Sequence, residues 1–203
     1  MSSKQKADVA IVLLAAGASN RFGRPKQLIQ FEGHSLLRYL AGVALASNAA
    51  SVYIVLGAYA DFLKHQLHGL KVQTVVNSDW NVGISSSVRR GVQEISRSMK
   101  AALIILCDQP YITSQLLNRM METFEKTRKL IVACEYENSL GVPALFDRKL
   151  FSELENLSGD RGAKQVILRH RNEVTSVPFP EGSIDIDTPK DFPDTKHSFQ
   201  EDI

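Results

Sequence analysis

Only two cysteines occur in the 203 residues, Cys107 and Cys134, and they form no CxxC pair. A zinc knuckle and a dithiol redox motif are thereby excluded. Both cysteines close apolar runs, ALIILC and KLIVAC, where a reduced, buried thiol is the ordinary reading. The five histidines, His34, His65, His68, His170 and His197, fall in no metal-ligand spacing; His65 and His68 read as a solvated pair on one helix face. No G-x-S-x-G elbow marks a serine hydrolase, no Gly-Lys-Ser/Thr ending marks a P-loop, and no glycine spacing matches a dinucleotide fingerprint. Neither charge sign dominates: 24 Lys and Arg stand against 22 Asp and Glu, without a long block of either. A large nucleic-acid footprint is not expected from that balance. Apolar runs stop well short of the roughly 20 residues a membrane helix needs. The opening MSSKQKADVA also lacks the apolar core of a signal peptide, so a cytoplasmic protein without a membrane partner is expected.

What is present is an alternation. Apolar runs dense in Val, Ile and Leu at 9–14, 51–56, 71–76, 101–107, 130–134 and 173–177 read as strands covered on both faces. Helical patterns intervene at 35–46, 59–67, 86–99, 114–126, 148–157 and 161–169. In the third of these, Val88, Val92, Ile95 and Met99 share a face. Thr113 is a good N-cap for the helix after Pro110. The expected fold class is α/β: a Rossmann-like, mostly parallel sheet flanked by helices. No Gly-, Ser- or Pro-rich linker and no repeat divides the chain, so one domain over 1–203 is expected, with a polar tail fraying after about residue 193. Such sheets bind ligands beyond the carboxyl ends of their strands.

The first strand ends in Leu14-Ala15-Ala16-Gly17, and Ser19, Arg21, Gly23, Arg24 and Lys26 follow. Small residues admit a ligand close to the backbone, and consecutive amides can cradle phosphate oxygens. Three cations within six positions suit a triphosphate and a departing pyrophosphate. The competing reading is an ordinary βα turn with solvated basic residues. Asp108 ends another apolar run and reads either as a turn starter or as a Mg²⁺ ligand. In Ile184-Asp185-Ile186-Asp187-Thr188-Pro189, the two carboxylates would share a face of an extended segment, or Asp187 caps a helix. Ser85, Ser86 and Ser87 exceed what one helix cap requires, which reads either as an anion-binding helix start or as the serine filler common at such positions.

Taken together, G-x-S-x-R-x-G-x-x-K-x-L after LAAG, N-x-x-W-x-x-G-x-x-S-S-x-R from Asn77, C-D-Q-P-Y-I-T from Cys107, G-x-P-x-L-F from Gly141, G-D-x-G-A from Gly159 and D-x-D-T-P-x-D from Asp185 resemble the MobA-like nucleotidyltransferases, in particular their cytidylyl branch. Phe22 replaces the family's usual methionine. Val142 stands where many relatives carry a polar residue, which removes a polar acceptor contact from the expectation there.

The resemblance implies a nucleotide-diphospho-sugar transferase-like fold with NTP bound by Ala15, Ala16, Gly17, Ser19, Arg21, Lys26, Ser85, Ser86 and Ser87. It also implies Mg²⁺ on Asp108 and Asp187, with Asp185 as the alternative, and catalysis by Lys26, Arg21 and Asp108. The G-x-P-x-L-F and G-D-x-G-A turns would line the acceptor side. The implied reaction moves CMP from CTP to a molybdopterin-type molybdenum cofactor and releases pyrophosphate. Ala16, where guanylyl relatives carry glycine, favours the smaller base. A transient contact with a molybdenum hydroxylase or its chaperone would follow. A sugar-phosphate acceptor, or a non-catalytic nucleotide-binding or cofactor-carrier module, are the competing functions.

Overall fold

Nine residues, Ala7–Ala15 (β1), pass from two accessible positions into seven consecutive buried ones. A strand buried on both faces needs cover on both sides, and helices supply it. The computed structural model describes residues 6–19, 22–95 and 97–184. After β1 come a short 3-10 turn (Lys26–Leu28), a minimal hairpin (β2, Gln30–Phe31; β3, His34–Ser35) and α1 (Leu36–Leu45). There follow β4 (Ala49–Leu56), α2 (Ala60–Gln66), β5 (Gln73–Val76), α3 (Ile84–Gln93), β6 (Ala101–Leu106) and α4 (Ser114–Thr127). The remainder comprises β7 (Ile131–Tyr136), β8 (Ser139–Asp147), α5 (Phe151–Glu155), α6 (Lys164–Arg169) and β9 (Val174–Pro178).

Seven strands form one sheet in the order β5-β4-β1-β6-β8-β7-β9. All neighbours are parallel except those of β8, which runs against both β6 and β7. On one face, α1 and α4 pack Leu36, Leu37, Leu40, Leu117 and Met120 against the sheet. On the other, α3, α5 and α6 contribute Val88, Val92, Leu154, Val166 and Ile167. Each such fully buried side chain contributes about 1.5–3 kcal/mol of transfer free energy. α3 sits especially low: a Cβ on Gly91 would lie 2.5 Å from Val12 Cγ1 and 2.9 Å from Val55 Cγ2. The expected cap forms, with Thr113 Oγ1 accepting from the Leu116 N–H, and Ser35 Oγ likewise caps α1 by accepting from the Arg38 N–H.

Two sequence expectations shift, and one element was not expected. The G-x-P-x-L-F stretch, read as a turn, lies inside β8. Between the pairs Ala133↔Ala144 and Cys134↔Gly141 the register slips, leaving Val142 and Pro143 unopposed on β7. A proline fits such a bulge because no ladder donor is required of it. The helix expected to reach Met99 ends at Gln93; Val88, Val92 and Ile95 pack as foreseen, while Met99 joins the same core from the following loop. The β2–β3 hairpin has no periodicity long enough to announce it. Among the described residues, no helix is long and apolar enough to cross a membrane.

Candidate active site

The parallel strands β1, β4 and β6 deliver their carboxyl ends to one side of the sheet, and a cavity of about 330 Å³ opens there. That volume lies near the lower end of the range for small-molecule sites. Its floor is Leu14, Ala15, Ala16 and Gly17 from β1 with Leu106, Cys107 and Asp108 from β6; Ser19, Phe22, Lys26, Gln27, Trp80, Ile84 and Ser87 form the walls.

The loop after β1 is shaped by its own side chains. Ser19 takes a left-handed conformation (φ 56°), and its Oγ accepts the Lys26 N–H at 3.1 Å. The buried Gln27 amide donates to the Ala15 and Gly17 carbonyls, both at 2.9 Å. Those two bonds fold the loop back over the end of β1, so Lys26 faces Asp108, with Nζ 3.2 Å from Oδ2. Gln27 stands at the unassigned x of K-x-L, and sequence reasoning missed it. Its signal was an amide side chain beside a strand end that must satisfy two turning carbonyls.

Asp108 uses one carboxylate oxygen for Lys26. The other, Oδ1, is buried and has no hydrogen-bond partner among the described residues. A buried carboxylate oxygen without a donor is costly unless a cation or donor completes it. That orphaned oxygen fits a hard divalent cation, which takes oxygen ligands and completes its shell with phosphate and water. Among the described residues no group of three or more His, Cys, Asp or Glu gathers as a metal cluster. Arg21, Asp185 and Asp187 lie outside the described residues.

The serines divide their labour. Asn77, itself buried, donates through Nδ2 to Ser86 Oγ (2.9 Å) and Ser87 Oγ (3.0 Å). Ser86 Oγ sits 2.8 Å from both the Asp79 and Gly83 carbonyls, and its single proton serves one at a time. Ser87 lines the cavity; Ser85 and Ser86 do not. Ser85 Oγ is buried without a partner among the described residues. Trp80 reaches the cavity because Gly57 has no side chain: a Cβ there would lie 2.5 Å from Trp80 Cβ and 2.7 Å from the Ala16 carbonyl oxygen. The Gly159–Gly162 turn docks on the start of α3, where the Ser85 N–H donates to the Gly159 carbonyl at 3.3 Å. Cys107 also lines the cavity, and burial, followed by the charge of Asp108, pushes its thiol pKa well up. It stands there as a neutral thiol rather than a nucleophile.

A glycine-containing turn at a parallel strand end, a lysine and a carboxylate facing each other across the cavity, and a helix start opposite make up the site of a nucleotidyltransferase built on the nucleotide-diphospho-sugar transferase fold. The chain belongs to the MobA-like NTP transferase domain family, which matches residues 11–174. It is 32% identical to the nicotine blue oxidoreductase of Paenarthrobacter nicotinovorans over 167 residues, 79% of this chain and 81% of that one. It is 25% identical over 189 residues to a probable molybdenum cofactor guanylyltransferase of Nostoc sp. strain PCC 7120, covering 91% of this chain and 88% of the relative. The crystal structure of Rv0371c from Mycobacterium tuberculosis in complex with manganese superposes with a TM-score of 0.76 at 26% identity, over 90% of this chain and 95% of that one.

Proposed function

We propose that the protein transfers CMP from CTP to a molybdopterin-type molybdenum cofactor and releases pyrophosphate. The observation that carries this reading is the Lys26–Asp108 pair, set across a cavity floored by Ala15-Ala16-Gly17, with Asp108 Oδ1 left for a cation. An ionised acceptor phosphate oxygen attacks the α-phosphorus, a new P–O bond forms, and the bond to the β-phosphate's bridging oxygen breaks. Lys26 and Arg21 stabilise the charge that collects on the departing pyrophosphate. No side chain has to remove a proton, because the attacking phosphate is already deprotonated near neutral pH. Asp108 and Asp187 would hold a divalent cation, Mg²⁺ in this reading, which would neutralise phosphate charge. Ser87 and the loop amides hold the nucleotide in line for attack. The dinucleotide product is destined for a molybdenum hydroxylase, directly or through a chaperone.

The base is the finer question, because the Nostoc relative carries a guanylyl name. Ala16 is buried in the cavity floor, and its methyl group narrows the space beside the β1 backbone. That supports the smaller pyrimidine. Pyrophosphate release is the deciding assay, with CTP or GTP, Mg²⁺ and intact cofactor, and Asp108→Ala as control. CTP-dependent release that vanishes in the variant supports the reading. Preference for GTP removes the base assignment but keeps the reaction. Full turnover by Asp108→Ala refutes the metal assignment. The Paenarthrobacter relative is named for redox chemistry. A redox activity for this chain would oxidise or reduce a dye substrate without releasing pyrophosphate, so the same assay separates the two.

A further inference from the structure

Gln109 directly follows Asp108, yet its side chain is 2% exposed and turned into the protein. Its Nε2 donates to the Val142 carbonyl at 3.2 Å and to the Gly182 carbonyl at 3.0 Å. Two carbonyls around one nitrogen fix the amide's orientation, since a flipped oxygen would face both acceptors. Tyr136 donates its hydroxyl to the same Val142 carbonyl at 3.1 Å. Glycines make room for this knot. A Cβ on Gly182 would lie 2.6 Å from Tyr136 Cδ1 and 2.7 Å from Phe179 Cδ1, and a Cβ on Gly141 would collide with the Tyr136 hydroxyl.

One side chain thus joins three elements: the end of β6, the bulge of β8, and the turn after β9. The Asp108 turn has no Asx bond of its own, because Pro110, two residues on, carries no N–H to donate to the carboxylate. What the tie restrains is the backbone that carries the Asp108 carboxylate.

We propose that Gln109 is a positioning residue that holds Asp108 in register for a divalent cation by tying it to Val142 and Gly182. The proposal rests on the metal role assigned to Asp108 above. Residues behind a metal ligand commonly change metal affinity by about 10–100-fold when removed. Gln109→Met keeps the volume and removes both donors. Gly182→Ala leaves Gln109 intact but pushes away the carbonyl it binds.

The test is Mn²⁺ titration of the full chain with CTP, read by electron paramagnetic resonance. CTP affinity in EDTA is measured alongside by quenching of Trp80, the sole tryptophan. Both variants are expected to weaken Mn²⁺ about 10–100-fold while metal-free CTP binding stays within about twofold. Asp108→Asn is run in parallel. If it retains Mn²⁺, the metal reading fails and the tie fails with it. If it loses Mn²⁺ while folded Gln109→Met and Gly182→Ala keep wild-type affinity, the tie alone is overturned. Equal losses of Mn²⁺ and metal-free CTP binding reduce Gln109 to a packing role. Should Gln109→Met not fold, Gly182→Ala decides.

Discussion

Lys26 Nζ and Asp108 Oδ2 stand 3.2 Å apart although 82 residues separate them in the chain. Both side chains are partly exposed, at 16% and 28%, so the pair adds little to stability. Its value lies in holding opposite charges where phosphates would pass. Lys26→Met is expected to lower kcat by about 100-fold, the usual loss for one electrostatic donor, while the urea midpoint moves little. Steady-state kinetics beside an unfolding curve measures both. Wild-type kcat in the variant would remove Lys26 from the chemistry.

Gln27 is expected to behave differently, because it shapes the loop rather than meeting the charge. Gln27→Leu leaves the Ala15 and Gly17 carbonyls without their side-chain donor, at a cost of about 1–3 kcal/mol. The loop that carries Lys26 then loses its fixed shape. KM for the nucleotide should rise by more than kcat falls, and equal effects on both would place Gln27 in the chemistry instead.

Gly57→Ala drives a methyl group into Trp80 and the Ala16 carbonyl, so the cavity wall has to move. Its tryptophan emission should shift, and nucleotide affinity should fall. Gly91→Ala is the control. It forces α3 away from Val12 and Val55, at about 1–3 kcal/mol for overpacking, and the atoms its methyl group meets belong to those two valines rather than to Trp80. If both variants alter emission alike, Trp80 is reporting general loosening rather than the wall.

Burial raises the Cys134 thiol from the ordinary 9.0 to about 12, and Cys107 is raised as well. Between pH 9 and 12 the folded protein keeps a proton on Cys134 that the unfolded chain releases. Stability from this thiol is therefore complete below pH 9 and is lost as pH rises toward 12, at about 1.4 kcal/mol per pH unit. Urea unfolding at pH 9 and pH 10 should show a steeper fall in the wild type than in Cys134→Ala. Identical slopes would mean that the folded thiol titrates normally.

Much of this architecture is legible in residue order. The Val-, Ile- and Leu-rich runs became β1, β4, β6 and β7 with ends moved by a residue or two, because strands buried on both faces must be apolar throughout. Less visible was β8, whose Gly141 and Pro143 read as turn residues until its bulge is known. Lys26, Asp108 and Ser87 stand around one cavity, as their places at strand and helix ends suggested. Gln27, Asn77 and Gln109 received no role from the sequence, although Asn77 and Gln109 stand as letters of the quoted motifs. Each is a buried amide whose partners are carbonyls or hydroxyls brought near only by the fold. No spacing rule marks such a residue, since its role is defined by what the chain later places around it.

The reversed strand β8 also bears on how the chain is made. β1, β4, β5 and β6 can pair among themselves once residue 106 has been synthesised, which leaves β6 with an open apolar flank. β7 emerges next but cannot cover it, because β8 lies between them in the finished sheet. A nascent chain halted after residue 136 therefore carries a naked, sticky edge directly beneath Asp108. Only the nine residues of β8 seal that edge, and the active-site floor becomes permanent with the strand that is translated last but one.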